Sequence, residues 1–148
     1  MAQLAKLEAA VAMKNPNKLM DFLKNNIQAL PQLFPQLYKS VEIVGGGRQL
    51  ATGSIISLSY YLPGTPTLMR GSVEVESMDE ARKSITLNVI GGDGLKMFKS
   101  FRVKCEIDDE QPQLVKWSLE YHKASPSTPP ADPYLEFYIN LTAAIDVL

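Results

Sequence analysis

Tyr60, Tyr121, Tyr134 and Tyr138 are the residues of this chain best suited to chemistry, because each joins an apolar ring to a hydroxyl that needs a partner once buried. In a dry pocket such a hydroxyl can orient a ligand carbonyl, which requires only binding. It can also donate a proton, which would make an enzyme; in that case Tyr60 and Tyr138 are the catalytic candidates. Other reactive residue types are isolated. Cys105 alternates with charged neighbours and reads as a small buried hydrophobe, since a nucleophilic thiolate would need a basic partner. His122 has the parity opposite to Tyr121, so it faces solvent near a strand end. Gly45-Gly46-Gly47-Arg48 lacks the Gly-Lys-Ser/Thr ending of a phosphate loop and precedes a strand. Asp108-Asp109-Glu110 lacks the chelating spacing of a calcium loop and reads as a solvated hairpin tip. With no Cys/His cluster at metal-ligand spacing, neither a metal nor a cofactor is expected.

Composition narrows the partners. A chain of 148 residues fits one domain, residues 1–148, with a sizeable core. The formal charge of −1 argues against nucleic acid, which favours clustered Lys and Arg. The single cysteine excludes an internal disulfide. No run approaches the roughly 20 apolar residues of a membrane span. The N-terminal stretch carries Lys6, Glu8 and Lys14 with no uninterrupted apolar core, a poor signal peptide. A cytoplasmic protein, monomeric or weakly dimeric, is the expectation.

The elements that must position these residues follow from periodicity. Leu7, Ala9, Val11 and Met13 share one parity and Lys6 and Glu8 the other, as in a first strand. Asn15-Pro16 starts a short helix over Lys18 to Asn25, because proline suits the first helical position. Ile27, Leu30, Leu33, Phe34 and Leu37 repeat at helical spacing, interrupted by Pro31 and Pro35, as in a second short helix and a turn. Strands are predicted at Ser40–Val44, Gly53–Leu62, Thr67–Met78, Lys83–Ile90, Lys96–Ile107 and Leu114–Lys123, with short connections that make neighbours antiparallel. Gly91-Gly92-Asp93-Gly94 supplies the positive-φ tolerance of a tight reversal. A Ser/Pro-rich linker leads to a terminal helix from Asp132, whose Tyr134, Tyr138, Leu141, Ile145 and Leu148 form one apolar stripe. This order makes an α+β domain in which seven strands curl and the closing helix buries its stripe against them.

The chain resembles the plant major latex proteins, within the birch-pollen-allergen and pathogenesis-related superfamily. The resemblance rests on an ordered set: Tyr38-Lys39-Ser40-Val41-Glu42, Gly45 to Gly47, Gly53-Ser54-Ile55, Asp79 through Ser84, Val89-Ile90 and Gly92-Asp93. It continues through Leu95-Lys96, Phe98 to Phe101, Leu114 to Trp117, Glu120-Tyr121 and Asp132-Pro133. It implies a helix-grip fold: a curved seven-stranded antiparallel β-sheet wrapped around a long C-terminal α-helix, two short helices after the first strand, and a large internal hydrophobic cavity. It also puts Lys96 and Lys99 at the cavity mouth. Two departures stand out. The turn reads Gly-Gly-Asp-Gly where relatives carry an acidic residue first and a large aliphatic last, which predicts a flexible lip. Ile56 stands where relatives often turn a basic residue inward, which predicts a more apolar pocket.

Strand parity then nominates the cavity wall: Ile56, Leu58 and Tyr60; Val73 and Val75; Ile85, Leu87 and Val89; Phe101, Val103 and Cys105; Val115, Trp117, Leu119 and Tyr121. The helices add Phe22, Leu30, Phe34 and Tyr38, then Tyr134, Tyr138 and Leu141. Periodicity alone marks these as buried core; the resemblance makes them ligand-facing. Two functions remain open. One is a carrier or store for a small hydrophobic or amphipathic plant metabolite in defence or specialised metabolism. The other is a cofactor-independent cyclase or isomerase acting on a reactive monoterpenoid or alkaloid intermediate in the same cavity.

Overall fold

The computed structural model describes residues 4–148, so the first three residues of the N-terminal stretch lie outside it. Alternating apolar and polar residues build seven strands: β1 (Leu4–Ala12), β2 (Tyr38–Ile43), β3 (Ile55–Tyr61), β4 (Leu68–Asp79), β5 (Ser84–Gly92), β6 (Phe98–Ile107) and β7 (Leu114–Lys123). They form one antiparallel, curved sheet in the order β1-β7-β6-β5-β4-β3-β2. The β2 to β7 run is a meander of neighbours, and β1 closes beside β7, with Ala9 opposite Trp117. Residues of one parity on each strand point into the concave face. On β6 these are Phe101, Val103, Cys105 and Ile107, all buried, while Arg102 and Lys104 face water.

Helices cross that concave face. Pro16 opens α1 (Pro16–Asn25), which buries Leu19, Phe22 and Leu23. A 3₁₀ turn at Ile27–Ala29 leads into the four-residue α2 (Leu30–Leu33). The long α4 (Asp132–Asp146) has Pro133 in its first turn and buries Tyr134, Phe137, Leu141, Thr142 and Ile145. One hydrophobic cluster joins α1, α2, α4 and the inner sheet face.

Three sequence expectations need correction. Tyr38, grouped above with the short helices, opens β2 opposite Tyr60; Pro35 follows the end of α2, and by Tyr38 the chain is already extended. The α4 stripe is broader than one line of residues, taking in Phe137 and Thr142, whereas Leu148 lies past the helix end and is half exposed. The glycine turn is not a two-residue reversal. Gly91 and Gly92 belong to β5, and a single helical turn, α3 (Gly94–Met97), makes the reversal before β6.

Nor is that turn free. Asp93 donates its backbone N–H to the Arg70 carbonyl at 2.8 Å and accepts the Arg70 N–H on Oδ2 at 2.8 Å, which ties the turn to β4. Lys96 pairs with Asp93 Oδ1 at 3.1 Å. Gly92 is required here: its φ is +100°, and a Cβ would lie 2.3 Å from the Arg70 carbonyl oxygen.

Candidate functional site: an apolar cavity with a tyrosine cluster

Between the concave face and α4 lies an internal cavity of about 80 Å³. Its wall is assembled from nearly every element. Leu23, Ile27 and Leu30 come from the helical segment after β1, Tyr38 and Val41 from β2, and Ile56, Leu58 and Tyr60 from β3. Val73, Leu87, Val89, Phe101 and Trp117 come from successive strands, and Tyr134, Phe137, Tyr138 and Leu141 from α4. Gly71, Gly91 and Gly94 complete it with bare backbone. Among the described residues, none that lines the cavity is charged. The space is smaller than the large cavity the resemblance implies, because aromatic rings from β2, β3, β6, β7 and α4 project into it, so a ligand of two fused rings enters only as these rings turn aside.

Of the residues nominated from sequence, Leu30, Tyr38, Ile56, Leu58, Tyr60, Val73, Leu87, Val89, Phe101, Trp117, Tyr134, Tyr138 and Leu141 meet at this wall. Phe22, Phe34, Val75, Ile85, Val103, Cys105, Val115, Leu119 and Tyr121 are buried in the surrounding core instead. The sequence reading of the wall missed Leu23, Ile27, Val41 and Phe137 and the glycines. Val41 was legible as the inward residue of its strand; the glycines carry no apolar signal to read. Lys96 and Lys99 do not line the cavity, and both are exposed.

The rings form a continuous aromatic contact. Phe137 packs edge-on against Tyr38 with centroids 5.2 Å apart, and lies 5.7 Å from Tyr60 and 5.5 Å from Tyr138. Phe101 lies 4.9 Å from Tyr134. Tyr138 stacks on Trp117 at 4.6 Å, and the Trp117 indole N–H donates to Thr142 Oγ1 at 2.8 Å. Thr142 in turn donates to the Tyr138 carbonyl at 2.8 Å, fixing the helix turn that carries Tyr138.

Hydroxyl chemistry is concentrated at one end. Tyr60 Oη and Tyr134 Oη are 2.7 Å apart and share a hydrogen bond. Burial pushes the Tyr60, Tyr134, Tyr38 and Tyr138 hydroxyls above the ordinary phenol range. Neighbouring tyrosines add to the shift at Tyr38, Tyr60 and Tyr138. The site is therefore a set of neutral hydroxyls. Tyr121 is used structurally, with its hydroxyl accepting the Ala131 N–H at 3.5 Å at the start of α4. Burial also pushes the Cys105 thiol upward, so it stays protonated and unreactive. His122 Nδ1 pairs with Ser100 Oγ at 2.6 Å on the outer face of the sheet. No group of metal-ligating side chains occurs among the described residues.

A curved seven-stranded antiparallel sheet gripping a long C-terminal helix around an apolar cavity defines a helix-grip protein. The chain belongs to the pathogenesis-related protein Bet v 1 family, whose profile matches residues 2–148, and within it to the major latex protein branch. It is 31% identical over 121 residues to MLP-like protein 423 of Arabidopsis thaliana, covering 80% of this chain and 77% of that one. Major latex protein 146 of Papaver somniferum is 25% identical over 131 residues, 86% of this chain and 79% of that one. The crystal structure of ginseng major latex-like protein 151 from Panax ginseng superposes with a TM-score of 0.86 at 24% identity, covering 97% and 96% of the two chains. Norcoclaurine synthase from Thalictrum flavum, solved with dopamine and hydroxybenzaldehyde, superposes with a TM-score of 0.72 at 17% identity, covering 99% and 86%. These structural likenesses carry the fold. No helix among the described residues is long and apolar enough to cross a membrane.

Proposed function

We propose that the protein binds a small hydrophobic or amphipathic metabolite in the cavity between sheet and α4, acting as a carrier or store. The observation that carries this reading is the wall itself: apolar and aromatic side chains from every layer, no charge among the described lining residues, and a few hydroxyls at one end. Such a wall gains most of its affinity from apolar ligand surface removed from water, about 25 cal/mol per Å². The family membership supports it, since Bet v 1-like proteins bind hydrophobic ligands. Titration with a neutral phenylnaphthylamine dye tests the reading. A saturable rise in emission at one dye per chain, reversed by apolar metabolites, is the expected result; no saturable signal would overturn it.

A cofactor-independent cyclase or isomerase is the second reading. Its support is the Tyr60–Tyr134 hydroxyl pair inside a dry cavity, together with a fold shared with norcoclaurine synthase. Proton transfer is most effective from a group that titrates near the working pH. Here burial moves the hydroxyls further from it, which weakens them as acids and keeps them protonated. Shape alone could still fold a reactive substrate. Incubation with reactive monoterpenoid or alkaloid intermediates separates the two: a product distribution identical to buffer, with binding intact, leaves the carrier.

A further inference from the structure

Among the described residues, the side-chain hydroxyls that line the cavity all belong to tyrosines, and no lining residue is charged. Tyr38 and Tyr60 are opposite each other on β2 and β3, and Tyr134 and Tyr138 are one turn apart on α4. Phe137 lies between them, in contact with Tyr38, Tyr60 and Tyr138. Tyr60 and Tyr134 satisfy each other. Tyr38 is 6% exposed, yet among the described residues no group hydrogen-bonds its hydroxyl, nor that of Tyr138. Neither hydroxyl is a fully enclosed orphan, since no such atom occurs among the described residues, so each borders open space. A buried hydroxyl without a partner is unfavourable, and a ligand atom that accepts or donates there relieves it.

The charges around this end argue against an ionised ligand of either sign. Asp93 is the charged group that acts on both Tyr60 and Tyr134, and its negative charge further disfavours an anion beside them. Its carboxylate is not free to receive a cation, because Oδ2 accepts the Arg70 N–H and Oδ1 holds Lys96. Phenol hydroxyls could donate to a carboxylate, but among the described residues no cation lines the wall to offset its charge.

We propose that the cavity selects uncharged ligands with an apolar body and one hydroxyl or carbonyl, which hydrogen-bonds Tyr38 and Tyr138, and that it rejects carboxylate and ammonium versions of the same skeleton. This rests on the ligand-binding reading above and names the chemical class that site would take.

Four probes of one skeleton test it: naphthalene, naphthol, naphthoate and naphthylmethylammonium, titrated calorimetrically at neutral pH against the full chain, with displacement of the neutral dye reporting cavity occupancy. Naphthol should bind most tightly, naphthalene next, and both ions at least about tenfold more weakly than naphthol. Tyr38→Phe with Tyr138→Phe should lower naphthol affinity by about two- to tenfold and leave naphthalene unchanged. Each single variant is measured as well, and the wild-type ranking stands whether or not the double variant folds. Naphthoate or the ammonium probe binding within about threefold of naphthol, or naphthol gaining nothing over naphthalene, overturns this proposal while the cavity reading survives. Failure of all four probes to displace dye that does bind also overturns this proposal alone. Failure of dye and probes together overturns both.

Discussion

Thr142 is fully buried on α4 and its hydroxyl links the single tryptophan to the helix backbone. Thr142→Val preserves the shape and removes the acceptor, which leaves the Trp117 N–H buried without a partner. A loss of about 1–3 kcal/mol in denaturant unfolding is expected, with changed tryptophan emission as the Trp117–Tyr138 stack loosens. A loss below about 0.5 kcal/mol would mean that another group takes the N–H. Tyr60→Phe is milder, because Tyr134 keeps access to the cavity; about 0.5–1.5 kcal/mol is expected from the same measurement. Neither Thr142 nor Phe137 was legible as an inward residue. The four-three spacing of Tyr134, Tyr138, Leu141 and Ile145 describes one line along a helix, as for a helix lying on a flat surface. A sheet that curls around the helix buries a wider arc, and curvature leaves no mark in the residue spacing. The tyrosine cluster was half legible: parity turned Tyr60, Tyr134 and Tyr138 inward, but only the fold brings the first two to 2.7 Å.

At the scale of elements, the β5–α3–β6 connection shapes the cavity's polar end. Gly92 and Gly94 have different jobs there. Gly92→Ala puts a Cβ against the Arg70 carbonyl at a φ that side chains rarely adopt, and should destabilise by at least about 1–3 kcal/mol in thermal or denaturant unfolding. A Cβ at Gly94 would meet only the Tyr134 hydroxyl, at 3.5 Å. Gly94→Leu should therefore carry the rest of its side chain into the cavity that Gly94 lines, weakening dye affinity at least about tenfold; unchanged affinity would remove Gly94 from the site. Asp93 adds a pH signature. Hydrogen bonding from the Arg70 N–H, then pairing with Lys96, holds its carboxyl below the usual carboxylate range. A lowered folded-state value means the clamp contributes above the ordinary carboxylate value and is lost as pH falls through the folded one. The protection of the Arg70 and Asp93 amides, corrected for the intrinsic pH dependence of exchange, should therefore fall in that acidic window, and Asp93→Asn should flatten the response; pH-independent protection would sink the clamp. The strands on either side were legible, since period-two alternation fixes both their number and their inward face. The helical turn α3 was not: Gly-Leu-Lys-Met is too short to display a helical period, and its flanking glycines suggest a reversal with no element inside it. Tyr38 was misassigned for a similar reason, because the apolar spacing runs on past Pro35 while the helix does not.

For the whole molecule, a cavity amid an otherwise closely packed core forfeits contacts that a ligand can restore. Binding to the folded state alone stabilises it by mass action, by about 2.7 kcal/mol at a free ligand concentration one hundred times Kd. For a chain of 148 residues, each kcal/mol shifts Tm by roughly 2–4 °C, so saturating naphthol should raise Tm by roughly 5–10 °C. The shift should be flat between pH 6 and 8, where both naphthol and the cavity tyrosines remain neutral, the latter because burial pushes their hydroxyls upward. Naphthoate at the same concentration should give a much smaller shift at neutral pH. Lowering the pH toward the probe's own carboxyl range should enlarge that shift as the neutral acid forms, once the protein's own acid loss is subtracted with an unliganded control. That direction follows from a wall without cations. If naphthoate stabilised the fold as strongly as naphthol at neutral pH, the molecule would be holding its charge somewhere other than this cavity, or Tyr38 and Tyr138 would be supplying more than hydrogen bonds.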